Sequence, residues 1–228
     1  MRFSCLPAFV AAALASGSAG AVSLTVLPSG TSLPPAWLGP VATFDSVAQT
    51  PYGDTTASGP FTDAGAAFSG GGVVMNNHGA GSGGLYATPF GDTTNYMAVL
   101  GGQSETVAYG SAKDAFGLYW GSVDTYNSLT FYYDGAAVAT VSGAQTGPLI
   151  ANGGQGDYSS NGYVVITGLP RFDTVVMRSS SNSFEFDNVA AGAVPEASTW
   201  SMMGLGFAGL GWAAFNSRSK KQIARALA

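Results

Sequence analysis

Ser128-Leu129-Thr130-Phe131-Tyr132-Tyr133-Asp134-Gly135-Ala136-Ala137-Val138-Ala139-Thr140-Val141 is the stretch whose reading decides the fold class. β-Branched and aromatic residues lead into Asp-Gly, a dipeptide suited to the two-residue turns that match strand twist. The chain then returns as AAVATV, the hairpin partner. Neither face of that return is strongly polar, so the sequence predicts a strand covered on both sides.

Working outward, residues 115–120 (AFGLYW) form another strand, joined to the hairpin through 121–127. Upstream, 41–45 reads as the first strand of the domain. Residues 50–65 are loop chemistry, with Pro51, Gly53, Gly59 and Pro60. Short apolar pieces at 66–68 and 73–76 surround Ser69-Gly70-Gly71-Gly72, and 76–84 reads as a loop. Residues 85–87, 96–100 and 105–109 are further strand candidates. Downstream, a long loop at 143–162 precedes strands at 163–166, 174–177 and 184–189. In the last, Phe184 and Phe186 share a face with Asn188, and Glu185 and Asp187 share the other. That alternation predicts apolar in and acidic out. No helical periodicity precedes the C-terminal tail. The class expected is all-β, a β-sandwich of jelly-roll-like form.

Composition agrees. Only 9% of residues are charged, and 33 of 228 are glycine, which suits many tight turns and not a helical bundle. Residues 22–193 hold twelve acids against Lys113, Arg171 and Arg178, a formal charge of −9. That excludes a nucleic-acid-binding role, which needs cations to neutralise phosphates. It is compatible with calcium or a neutral polysaccharide.

Residues 1–21 read as a cleaved signal peptide: Arg2, an apolar run over 3–15, then Ala19-Gly20-Ala21. The single cysteine, Cys5, leaves with it, so the exported domain relies on neither disulfides nor a thiol nucleophile. The remainder divides into an extended lead at 22–40, a sandwich domain at 41–190 and a tail at 191–228.

Three constellations are candidates for chemistry. Pro51-Tyr52-Gly53-Asp54-Thr55-Thr56 recurs as Pro89-Phe90-Gly91-Asp92-Thr93-Thr94. The repeat is either shared turn chemistry or a rim where Tyr52, Asp54, Phe90 and Asp92 meet a sugar or calcium. Between two strong strands, Trp120 and Tyr126 could form a carbohydrate platform with Asp124 and Asn127 bonding hydroxyls; the alternative is a hairpin loop with core aromatics. Asp45 on the first strand and Asp187 on the last could share a structural Ca²⁺, since such strands often pair in a jelly roll. Catalysis has little basis. The one histidine, His78, lies in a glycine-rich loop, which excludes a zinc cluster and leaves no Ser-His-Asp arrangement to argue. The chain is expected not to be an enzyme.

The tail has three parts in order. Val194-Pro195-Glu196-Ala197-Ser198-Thr199 comes first, then an uncharged apolar run over 200–215, then a basic end over 216–228 with Arg218, Lys220, Lys221 and Arg225. As a helix the run spans ~24 Å, slightly short of a ~30 Å hydrocarbon core, which snorkelling cations absorb. Trp200 and Trp212 sit near its ends, where indoles favour the interface, and the cations stay cytoplasmic. One transmembrane helix is expected. This tail resembles the PEP-CTERM sorting signal of bacterial surface proteins at Val194, Pro195, Glu196, Ser198 and Thr199; Ala197 stands where that family usually has a second proline. The resemblance implies an exosortase-type processing enzyme as partner. It further implies an inner-membrane intermediate and a final place at the surface or in the exopolysaccharide matrix of a Gram-negative bacterium, as in biofilms. The expected function is a non-catalytic surface or matrix protein. A carbohydrate-binding module is the alternative, and a secreted glycan hydrolase a lesser one.

Overall fold

The computed structural model describes residues 21–76, 85–193 and 205–208. Residues 1–20 of the expected signal peptide, the His78 loop, the expected sorting residues Val194, Pro195, Glu196, Ser198 and Thr199, and most of the apolar run lie outside them. Among the described residues, 205–208 are helical, and no helix is long and apolar enough to cross a membrane.

The described chain is all-β, with two antiparallel sheets. The strands are β1 (Ser23–Val26), β2 (Val41–Ala42), β3 (Phe61–Asp63), β4 (Ala66–Gly70), β5 (Gly72–Met75), β6 (Tyr96–Val99) and β7 (Ser104–Lys113). They continue as β8 (Ala115–Gly121), β9 (Asn127–Tyr133), β10 (Ala136–Ser142), β11 (Gly162–Thr167), β12 (Phe172–Ser179) and β13 (Phe184–Gly192). One sheet runs β1-β11-β8-β13-β6-β5, with β2 also on β13; the other runs β10-β9-β12-β7-β4-β3. One apolar core lies between them, built from residues of both, including Phe116, Trp120, Phe131, Phe172, Phe184 and Phe186. Two smaller clusters cover the outer face of the seven-stranded sheet. One holds Tyr119, Tyr163 and Leu38; the other holds Tyr86, Tyr96 and Ala98.

The Asp134-Gly135 hairpin forms as the sequence predicts, with Ala136 opposite Tyr133 and both turn residues at positive φ. Other expectations are corrected. β10 is not covered on both sides: it is the edge strand of its sheet and largely exposed, and alanine and valine simply suit an edge. Residues 22–40 are no lead ahead of the domain. β1 pairs with β11, and Leu38, in a turn of 3-10 helix at Ala36–Leu38, is fully buried against the outer face. β3 forms inside the expected loop at 50–65, while 85–87 forms no strand. The first expected strand stops after Ala42. Phe44 adopts φ 59°, donates its N–H to Asp63 Oδ2 at 2.8 Å, and turns its ring into the core against Phe68 and Phe186. Finally, Glu185 and Asp187 do not point to solvent. All of β13 is buried, because it is central in its sheet and its outer face is roofed by loops.

The glycines of Ser69-Gly70-Gly71-Gly72 carry the chain from one sheet to the other, from β4 to β5. A Cβ on Gly70 would lie 2.4 Å from Ser104 O and 2.8 Å from Glu105 Oε2. The corner closes on Glu105, which is 2% exposed and accepts from Gly72 N–H at 3.0 Å. Burial pushes its carboxyl up to about 7. The folded state therefore holds this proton more tightly than the unfolded chain does. The stability it contributes is full below about pH 4.5, falls as pH rises to 7, and is level above. A shift of that size corresponds to as much as about 3 kcal/mol. Chemical denaturation across pH 4–8 should show that decline, and Glu105→Gln should flatten it.

Candidate functional site

The outer face of β13 places two acids at the middle of the seven-stranded sheet, between the two satellite clusters. Each meets different surroundings.

Glu185 forms the floor of a polar pocket of about 240 Å³, walled by Ser122, Asp124, Tyr126, Asn152, Asn182 and Ser183, among others. It is 2% exposed and satisfied on both oxygens. Oε1 accepts from Ala87 N–H at 2.9 Å and from the Ser183 hydroxyl; Oε2 accepts from the Ser122 hydroxyl at 2.6 Å. Burial raises its pKa, and those three donors oppose the rise. Asp124 is half-buried in the wall. Burial raises its pKa too, against the Tyr126 hydroxyl. Tyr126 donates to Asn182 O at 2.7 Å.

The pocket is held by the long loop after β10, which the sequence leaves structureless. Asp124 bridges to Asn152, Gly153 N–H donates to Val123 O at 2.9 Å, and Val123 N–H donates to Ser160 O at 2.8 Å. Asn161 is the hub. Its Oδ1 accepts from Ser122 and Phe90 amides, and its Nδ2 donates to Gly154 and Asp157 carbonyls. Such a cavity, rich in hydroxyl, amide and carboxyl groups and poor in apolar surface, can accept a small polyhydroxylated or amide-bearing ligand.

The four residues expected as a platform separate. Asp124 and Tyr126 line the pocket. Trp120 is fully buried and stacks on Phe184 at 4.7 Å; it points into the core because odd and even positions of β8 face opposite layers. Asn127 is also buried, accepting from Ser179 Oγ at 2.7 Å and donating to Ser183 O at 3.1 Å. It fastens the strand end and is not offered to a ligand.

The two repeats make the same turn, as their shared chemistry predicts. Asp54 N–H reaches Pro51 O at 2.9 Å, and Asp92 N–H reaches Pro89 O at 3.0 Å. Each aspartate accepts from the second threonine that follows, Thr56 or Thr94. They do not form one rim: Tyr52 packs on Tyr86 and Phe90 on Tyr158. Tyr52 is 53% exposed, and Asp54 is held below the usual carboxylate range by Thr56. Asp92 differs, since burial raises its pKa.

Asp187 lies opposite Tyr119 of β8 and is 1% exposed. Neither carboxyl oxygen makes a hydrogen bond of good geometry, though the Asn188 backbone N–H lies close enough to favour the charged form. Burial pushes it up to about 9, with Asp92 and then Asp45 and Asp63 adding charge repulsion. Asp45 is exposed and accepts from Asn95 N–H at 3.1 Å. Among the described residues, no group of three or more His, Cys, Asp or Glu side chains is placed to hold a metal ion.

The sequence missed Glu185, Ser122, Asn152, Asn161, Asn182 and Ser183 as site residues. An acid between two phenylalanines on a strand read as solvent-facing was the available signal for Glu185; the loop amides carried none.

Compared with known proteins, residues 193–218 match the family model of the PEP-CTERM protein-sorting motif. No curated protein and no solved structure matches the chain.

Proposed function

We propose that this chain is a non-catalytic exported protein, sorted through its C-terminal tail and displayed at the cell surface or in the exopolysaccharide matrix. The observation that carries the reading is the sorting motif matched at 193–218, beginning one residue after β13 ends at Gly192. Residues 1–21 act as the export signal. The run over 200–215 holds the chain in the inner membrane as a single helix. An exosortase-type enzyme then processes the tail beside Pro195-Glu196. Intact-mass measurement on protein recovered from cells and from medium tests this. Loss of both 1–21 and the basic end is expected in the exported form. An exported form that keeps Arg218 to Ala228 would overturn it.

The non-catalytic reading is supported by Glu185. A pocket with two carboxyls invites comparison with glycoside hydrolysis, but both Glu185 oxygens are engaged by fixed donors, so it braces the pocket floor instead of shuttling a proton.

The pocket favours a second reading, a carbohydrate-binding module. Asp124→Ala should weaken binding to a responsive glycan on an array by roughly 10-fold or more, the loss expected when a charge-assisted hydrogen bond is removed. Tyr126→Phe removes a hydroxyl that donates to Asn182 O and acts on Asp124, keeps the ring and the Asp124 charge, and should act more weakly. Binding unchanged in Asp124→Ala would exclude this pocket as the glycan site.

A further inference from the structure

The two sheets leave space between them where β13 runs out toward the tail. Ala42 of β2 and Val189 and Ala191 of β13 line it from one sheet, Ala66 and Phe68 of β4 from the other, and the cavity measures about 210 Å³. The gap follows from the sequence, since alanines are too short to meet across a layer ~10 Å thick. All five of these residues are buried, so the walls are dry and apolar. Ala191 lies roughly 20 Å along β13 from Glu185, and the cavity shares no lining residue with the polar pocket.

Two polar groups make this more than a packing void. Tyr109 of β7 lines the cavity, and its hydroxyl oxygen is buried with no hydrogen-bond partner. A hydroxyl left so is costly, and a space beside it is where a partner can enter. Burial raises its pKa well above the ordinary tyrosine value, so it keeps its proton and can donate. Lys113, at the end of the same strand, also lines the cavity and sets its Nζ 5.9 Å from the centroid of the Tyr109 ring. It is the one charged residue on the lining; no described acid stands there, in a domain where acids outnumber bases twelve to three.

We propose that this cavity binds a small organic monocarboxylate, with the carboxylate held by the Lys113 ammonium and the Tyr109 hydroxyl and a compact apolar body seated between the sheets. A single cation without an opposing acid selects an anion, through a charge-assisted hydrogen bond. The walls of Ala42, Ala66, Phe68 and Val189 reject a sugar, whose hydroxyls would go unpaired against them. Volume limits the body. An apolar cavity of about 150 Å³ holds benzene, so this one admits a six-membered ring or a short chain with its carboxylate and little more. The inference stands apart from the sorting reading and from glycan binding.

The test is calorimetric titration of sodium benzoate and, separately, sodium hexanoate into the full chain purified in a maltoside detergent. Benzamide serves as the uncharged counterpart of benzoate. At least one acid should bind once per chain with a Kd of about 1 mM or lower, a strength within reach of about nine non-hydrogen atoms. Benzamide should bind at least about 10-fold more weakly than benzoate. Lys113→Met should weaken the acid by about 10-fold or more and erase the preference over benzamide. Tyr109→Phe should weaken it by roughly 3- to 10-fold without lowering Tm, because the hydroxyl removed was unpaired. Ala66→Leu should fill the cavity and abolish binding; if it fails to fold, Lys113→Met and Tyr109→Phe still decide. Asp124→Ala should leave acid binding unchanged, which separates this site from the polar pocket. Failure of both acids to bind at about 10 mM would overturn the proposal. So would benzoate affinity that survives Lys113→Met or falls in Asp124→Ala.

Discussion

Replacing Trp120 with alanine is expected to cost about 3–5 kcal/mol of folding free energy, the usual range for emptying a buried aromatic site. The indole is fully buried, lies on β8 between β11 and β13, and stacks on Phe184 at an interplanar angle of 26°. In a domain of this size the melting temperature should fall by roughly 10 °C or more. Trp120→Phe keeps an aromatic face against Phe184 and removes the indole N–H, which is buried and without a partner. It should cost less than about 1.5 kcal/mol. Urea denaturation of both variants checks the pair. Equal losses would mean that the ring's stacking is not what matters. A ligand-binding defect in Trp120→Ala reports unfolding, so binding tests belong on Asp124 and Tyr126.

The second large effect is expected at Gly143→Ala. Gly143 opens the 3-10 turn Gly143–Gln145, where Ser142 N–H is capped by Gln145 Oε1 at 2.8 Å. A Cβ there would stand 2.1 Å from the carbonyl oxygen of Asp124. A backbone oxygen cannot swing aside as a side chain can, so two loops must part. The expected loss is about 3 kcal/mol, at the upper end for overpacking. The damage falls on the pocket wall, because the same Asp124 residue bridges to Asn152. Gly135→Ala is the control. Its Cβ meets nothing within 4 Å, and only its φ of 76° opposes the substitution, so about 1 kcal/mol is expected. Thermal melts should rank Gly143→Ala well below Gly135→Ala. The reverse order would show that the turn, not crowding, dominates.

These cases show where sequence reading works and where it stops. The Asp134-Gly135 hairpin was legible because turn chemistry and strand chemistry agree locally. The tail was legible because its three parts follow in a fixed order. Alternation in Phe184–Asn188 separated the two faces correctly but misjudged their surroundings. Period two says that Glu185 and Asp187 share a face, and it carries no knowledge of the loops roofing that face. The same limit hid the role of Trp120, since an aromatic at a strand end suits a core as well as a platform. β1 escaped notice because four residues gain their strand only from pairing with β11, far along the chain. The pocket depended on Asn152 and Asn161, loop amides whose partners are set by tertiary contact alone.

The strand leading into the sorting motif is not at an edge. β13 is hydrogen-bonded to β8 on one side and to β6 and β2 on the other, along almost its whole length. Any tether attached through the tail would therefore pull along an axis gripped from both flanks. Bonds in two antiparallel ladders would have to give together in shear, where an edge strand would unzip one pair at a time.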